Sequence, residues 1–147
     1  MTDKYLKLEN QICHSLYSAT NALIRAYRPL LDDLDLTYPQ YLIMLALWES
    51  DSVAIKNLVQ RTRLDAGTLT PILKRLQVKG IVDIRKSKED SRQKVVIVTD
   101  QGRQLADQAA SVPEALFCQF DLTLEEGRVL KTLSEKLYSG LRKALKD

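Results

Sequence analysis

Between Ile55 and Thr99 the hydrophobic period of the chain changes once, from helical to alternating, and this limits the folds open to it more than any other feature. Ile55-Lys56-Asn57-Leu58-Val59-Gln60-Arg61 has the spacing of a short helix, and Thr62-Arg63-Leu64-Asp65 reads as a turn. Leu69, Ile72, Leu73 and Leu76 then form the buried stripe of a second helix, with Asp65 as its N-cap and Gly80 as the residue just past its end. Pro71 would remove a backbone donor inside that helix, so a start at Thr70, with Pro71 at the first helical position, is also open. Two β-branched runs follow, Ile81 to Lys86 and Lys94 to Thr99. The charged Ser87-Lys88-Glu89-Asp90-Ser91-Arg92-Gln93 joins them, which predicts a hairpin with a long polar tip.

Charge divides along the same boundary. From Ile55 to Thr99 there are eleven Lys/Arg against four Asp/Glu, a local net of +7, while the other residues hold eleven bases against fifteen acids, a net of −4. A basic block in an acidic frame is the electrostatic footprint of phosphate binding, because each neutralised phosphate releases condensed counterions. The plain alternative is a solvated basic face. Two short helices followed at once by a hairpin with a basic tip form the winged variant of a helix-turn-helix.

Helical period dominates the remainder. Leu8 to Leu34 is one long amphipathic pattern that Pro29 should kink or end. Thr37-Tyr38-Pro39-Gln40 has the form of a capping box and predicts a helix from about Tyr38 to Ser50. After Thr99, a cap, helical pattern resumes through Leu105 and Ala109 and on past Pro113 to Phe120. Thr123-Leu124-Glu125-Glu126 is a second capping box, opening a helix with the stripe Val129, Leu130, Leu133, Leu137, Leu141 and Leu145. The fold class expected is mainly α with a small β-hairpin wing, in the α+β sense. A winged lobe spans 37–99, and residues 1–36 and 100–147 form a helical dimerisation region. These flanking helices have more apolar surface than so small a lobe can cover, so a homodimer is the economical solution. Packing onto the lobe in a monomer is the alternative.

The longest apolar run, Tyr41 to Trp48, is far short of the ~20 residues that span a bilayer, and the first residues have no apolar signal segment. A soluble cytoplasmic protein without membrane contact is expected. Cys13 and Cys118 are too far apart in sequence to suggest a disulfide framework, and a reducing compartment would keep them as thiols unless their oxidation is the point. One histidine, His14, and no C-x-x-C leave no metal site to expect, and nothing calls for a cofactor.

Leu36-Thr37-Tyr38-Pro39-Gln40-Tyr41-Leu42, the string from Leu64-Asp65-Ala66-Gly67-Thr68-Leu69-Thr70-Pro71 to Leu76, and the wing-tip Asp90-Ser91-Arg92 resemble the MarR family of dimeric bacterial transcription regulators. The resemblance covers nearly the whole chain. Asn10-Gln11-Ile12-Cys13, with Tyr17, Tyr27 and Tyr38, is similar to the OhrR branch, the organic-hydroperoxide sensors. It implies a repressor, not an enzyme, that binds double-stranded operator DNA and lets go when an organic hydroperoxide oxidises Cys13. It further implies a sensor pocket in which Tyr27 and Tyr38 hydrogen-bond the Cys13 sulfur, flanked by Tyr17. It also implies that Cys118 takes the part of the resolving thiol, in an intersubunit disulfide with Cys13.

One part of this can be checked by spacing. Tyr27 follows Cys13 by 14 residues, which on a continuous helix is about 21 Å of rise, so the two cannot touch within one chain. The implied contact therefore requires a second subunit. Such a sensor needs a thiolate, and phenolic donors and a helix start both favour the anion. The inert reading of each cysteine is a small buried hydrophobe, and of each tyrosine an interface aromatic. His14 stands where the family often has an aromatic residue.

For DNA, the helix from Asp65 is expected in the major groove, with Ala66, Gly67, Thr68 and Thr70 near base edges or phosphates and Lys74 and Arg75 nearer the backbone. Ala66 stands where serine is common, which removes one polar contact. Arg92, oriented by Asp90, is the candidate for minor-groove insertion, and Lys86 and Lys88 for phosphate contacts. Two other readings fit the residues: a MarR-type regulator answering a small aromatic or phenolic ligand, and a thiol peroxidase, which would have no need of a basic winged segment.

Overall fold

The computed structural model describes residues 3–145. It divides into two compact units, 1–116 and 117–147, each described by itself.

In the first unit a short 3-10 turn, Leu8–Asn10, precedes α1, Ile12–Asp32. The expected single pattern from Leu8 is thus broken at Gln11, whose extended backbone restarts the helix. Pro29 does not end α1: it lies in the last turn, where one missing donor is tolerated, and the helix runs on to Asp32. The reversal after α1 uses Asp35 at φ 52, left-handed backbone that Asp and Asn adopt more readily than most residues. Helix α2, Tyr38–Trp48, opens on the capping box of Thr37 and Gln40 and is the central element. Tyr41, Ile43, Met44 and Leu47 on different sides of it are all almost fully buried, so α2 has almost no polar face.

Around α2 pack α3 (Ile55–Thr62) and α4 (Ala66–Val78). Arg63, at φ 61, makes the turn between them, and Asp65 caps α4 by accepting from the Thr68 backbone at 2.6 Å. Pro71 lies inside α4, so the start at Thr70 is set aside. The cap at Asp65 and the buried Leu69, Leu73 and Leu76 hold the full helix despite the lost donor. Gly80 at φ 77 then closes it. The Gly80 and Ile81 amides return to the Gln77 and Leu76 carbonyls, satisfying groups the helix end would otherwise orphan.

The hairpin is β2 (Val82–Lys86) and β3 (Lys94–Val98), in the register Lys86↔Lys94. A further strand not read from the sequence, β1 (Ser52–Ala54), pairs antiparallel with β3, giving the order β1-β3-β2. Helix α5, Asp100–Ala109, starts on the Thr99 cap. The expected run to Phe120 is interrupted at Ala110 and Ser111, and α6 covers Val112–Phe117. Pro113 falls in the first turn of α6, where its missing N–H has no partner to lose.

The second unit contains α7, Leu124–Ala144, opened by the capping box of Thr123 and Glu126. Phe117 packs edge-on to Phe120, and Gly127 leaves the Phe117 ring room that a Cβ would take, at 2.9 Å. No described residue of α7 is buried. Among the described residues no helix is long and apolar enough to cross a membrane.

Candidate nucleic-acid interface and sensor residues

The exposed side of α4 follows from its buried one. Leu69, Leu73 and Leu76 turn inward, which leaves Ala66, Gly67, Thr68, Thr70, Lys74 and Arg75 in solvent on the rest of the helix. The Asp65 carboxyl is held below its usual range by hydrogen bonds from Thr68, so the cap stays ionised at neutral pH. Thr70 returns its hydroxyl to the Ala66 carbonyl at 2.9 Å.

The wing tip is a closed structure. Ser87 donates its backbone N–H to the Gln93 carbonyl, and its hydroxyl accepts from the Glu89 and Asp90 amides. Asp90 then grips Arg92, accepting from its backbone N–H at 3.0 Å and its Nε at 3.2 Å. That pairing holds the Asp90 carboxyl below its usual range. The Arg92 side chain remains 89% exposed. Lys86 and Lys88 are exposed on either side of the start of the tip.

Arg61 and Lys79 of the basic segment are tied to other elements of the fold. Arg61 donates to the Ala46 carbonyl and to Glu49. Lys79 is held by Asp35 and Gln40. Neither was separable by composition from the bases left in solvent.

Of the sensor residues, Cys13 is the second residue of α1 and is exposed. The N-cap residue Gln11 makes no side-chain cap, so the dipole at this helix start is open toward the first turn. Tyr17 is one turn on and 69% exposed. Tyr27 and Tyr38 are brought together, with ring centroids 4.7 Å apart, against Tyr41 at 5.7 Å from Tyr27. Burial first, then the neighbouring Tyr38 and Tyr41, pushes the Tyr27 phenol up to about 12. Tyr38 and Tyr41 are raised too, chiefly by burial, so all three remain donors at neutral pH. Tyr41 was missed as a member of this cluster. Its signal was the three-residue spacing from Tyr38, which stacks two side chains on one helical face. Because α1 is continuous from Cys13 to Tyr27, the rise of about 21 Å between them holds. A cavity of about 240 Å³ lies beside the pair, lined by Ile24, Arg28, Asp32, Leu36 and Thr37 among others. Cys118, in the second unit, is exposed just past the end of α6.

The family model for the transcriptional regulator SarA/Rot matches residues 25–109. The organic hydroperoxide resistance transcriptional regulator of Bacillus subtilis (strain 168) is 39% identical over 137 residues, 93% of this chain and 91% of that protein. Reduced AbfR bound to DNA superposes with a TM-score of 0.81 at 31% identity, over 99% of both chains. The disulfide-formed AbfR superposes less closely, with a TM-score of 0.68 at 30% identity over 94% of this chain and 95% of that one. Identity at this level along nearly the whole length, on a shared winged fold, means that the chain belongs to the MarR family of transcriptional regulators, within its OhrR branch.

Proposed function

We propose that this protein is a homodimeric repressor that releases operator DNA when an organic hydroperoxide oxidises Cys13. The observation that carries the reading is the exposed Cys13 in the open first turn of α1, in a chain whose α4 and wing turn a basic face to solvent. The relatives support it: one is named for organic hydroperoxide resistance, and AbfR is known bound to DNA and in a disulfide form.

In this reading residues 37–99 read DNA. The N-terminal turns of α4 enter the major groove through Ala66, Gly67, Thr68 and Thr70, and Lys74 and Arg75 meet phosphates. Arg92, aimed by Asp90, enters the minor groove, and Lys86 and Lys88 add phosphate contacts. Residues 1–36 and 100–147 join two copies. The stripe Val129, Leu130, Leu133, Leu137 and Leu141 is between 41% and 57% exposed, so burying the remainder of one such side chain contributes on the order of 1 kcal/mol. A second copy also resolves the distance problem, because Tyr27 and Tyr38 of the partner subunit reach the Cys13 that those of its own chain cannot.

The chemistry balances without a cofactor. The Cys13 sulfur attacks one peroxide oxygen, the O–O bond breaks, and the alcohol leaves with a proton, giving a sulfenic acid. The thiol of Cys118 from the partner subunit then condenses with it, forming the disulfide and releasing water. Apolar neighbours, Ile12 and Leu16, suit an alkyl or lipid hydroperoxide over hydrogen peroxide.

Intact mass and non-reducing electrophoresis after one equivalent of an organic hydroperoxide test this step. Wild type should give a covalently linked pair of chains that Cys118→Ala does not. Sustained turnover of excess hydroperoxide with a thiol reductant would instead mark a thiol peroxidase. The cavity beside Tyr27, Arg28 and Tyr38 favours one second reading, release by a small aromatic or phenolic ligand. Its mark would be ligand-driven release from DNA under strict reduction.

A further inference from the structure

Gln40 is the buried polar residue of the core among the described residues, 4% exposed, and its side-chain carbonyl is shared. On one side it accepts the Thr37 backbone N–H at 3.1 Å, which is half of the capping box that starts α2. On the other it accepts from Lys79 Nζ at 3.3 Å. Lys79 is the C-cap of α4 and also reaches back to Asp35, donating to its backbone carbonyl and pairing with its carboxylate at 3.3 Å. The ammonium thus ties the end of α4 to both sides of the α1–α2 turn. Tyr38 is the first residue of α2, between Thr37 and Gln40, and its ring packs on Tyr27.

We propose, on the reading that Cys13 oxidation acts through Tyr27 and Tyr38, that Lys79 is a positioning residue carrying the state of those tyrosines to α4 by way of Gln40. A shift of Tyr38 moves the first turn of α2 and with it the Gln40 amide. Withdrawing that acceptor leaves the ammonium held by Asp35 alone and removes its tie to α2. A cavity of about 340 Å³ beside Lys79, lined by Gln101, Gln104 and Gln108 of α5, offers other acceptors. Moving from Gln40 to one of those glutamines would give the ammonium a second satisfied arrangement, which a switch requires. Helix α4 is rigid, so a change at its Lys79 end tilts its Asp65 end about 20 Å away, where the groove is read.

The test compares operator affinity before and after stoichiometric organic hydroperoxide for wild type, Lys79→Met, Lys79→Arg and Asp35→Asn, with the rate of Cys13 thiol loss measured alongside. Met keeps the aliphatic stem and Asn suits the positive φ of Asp35, so the two variants preserve local packing by different means. The proposal expects the reduced-to-oxidised affinity ratio to collapse at least tenfold in Lys79→Met, to fall less in Asp35→Asn, and to recover in Lys79→Arg. Thiol loss should stay within twofold of wild type throughout. Equal weakening of both redox forms, with the ratio kept, would mark Lys79 as a phosphate contact or a plain stabiliser and overturn the proposal alone. If wild type itself holds its operator after the thiol is consumed, the redox reading fails first and the proposal with it.

Discussion

Tyr27 packs against Tyr38 at 4.7 Å between ring centroids, yet lies about 21 Å along its own helix from Cys13. A phenol pair so placed can serve a thiol only across a subunit boundary. Mixed dimers test this: one chain carrying Cys13→Ser, the other Tyr27→Phe with Tyr38→Phe. In that pairing one site still combines an intact Cys13 with the intact tyrosines of the other chain, so about half of the wild-type hydroperoxide response should be kept. Loss of the response at both sites, to the level of the doubly substituted homodimer, would place each pocket within one chain.

Tyr27 also sets an alkaline limit. Its folded value of about 12 lies above the ordinary 10.0, so the folded state binds the proton more tightly than the unfolded. The stability this contributes is full below pH 10 and is lost as pH rises toward about 12. Tyr27→Phe should flatten the fall of Tm between those limits, as followed by circular dichroism. An unchanged alkaline profile would count against the buried phenol cluster.

Arg92→Ala should weaken operator binding and lower the magnitude of the log K against log salt slope by about 1, with the rate of Cys13 oxidation unaltered. Asp90→Ala should give a milder loss, because it frees the guanidinium without removing it.

Gly102 is buried where a Cβ would press into the Ile81 carbonyl oxygen and lie 2.8 Å from Val98 Cγ1. The obstacle is backbone, not a flexible side-chain tip. Gly102→Ala should therefore cost about 3 kcal/mol in denaturant unfolding. A loss under about 0.5 kcal/mol, the range of a neutral surface change, would contradict the tight approach of α5 to Ile81 and β3.

Leu133→Asp with Leu137→Asp puts charge on the exposed stripe of α7. Sedimentation should then report single chains, with operator affinity lost in parallel. Dimers of wild-type stability would mean that this stripe is not the interface.

Much of the fold was legible because its signals are local. The capping boxes at Thr37 and Thr123, the caps at Asp65 and Thr99 and the closing Gly80 each depend on residues within a few positions. Strand β1 was not legible: its three residues are a strand only because Val53 finds Val96. The break between α5 and α6 carries no glycine, and Pro113 suited a helix start as well as a helix interior. Arg61 and Lys79 could not be told from solvent-facing bases, since their acceptors lie 15 and 44 residues away in sequence. The roles of Cys13, Tyr27 and Tyr38 came from resemblance, and spacing alone said only that they are separated within one chain.

The most direct test of the account is an operator titration by fluorescence anisotropy, run on wild type and Cys13→Ser with and without one equivalent of an organic hydroperoxide. The account predicts at least about tenfold weaker binding by oxidised wild type and no change in Cys13→Ser, whose reduced affinity matches wild type. Equal release of both proteins by the peroxide, or of neither, would contradict it.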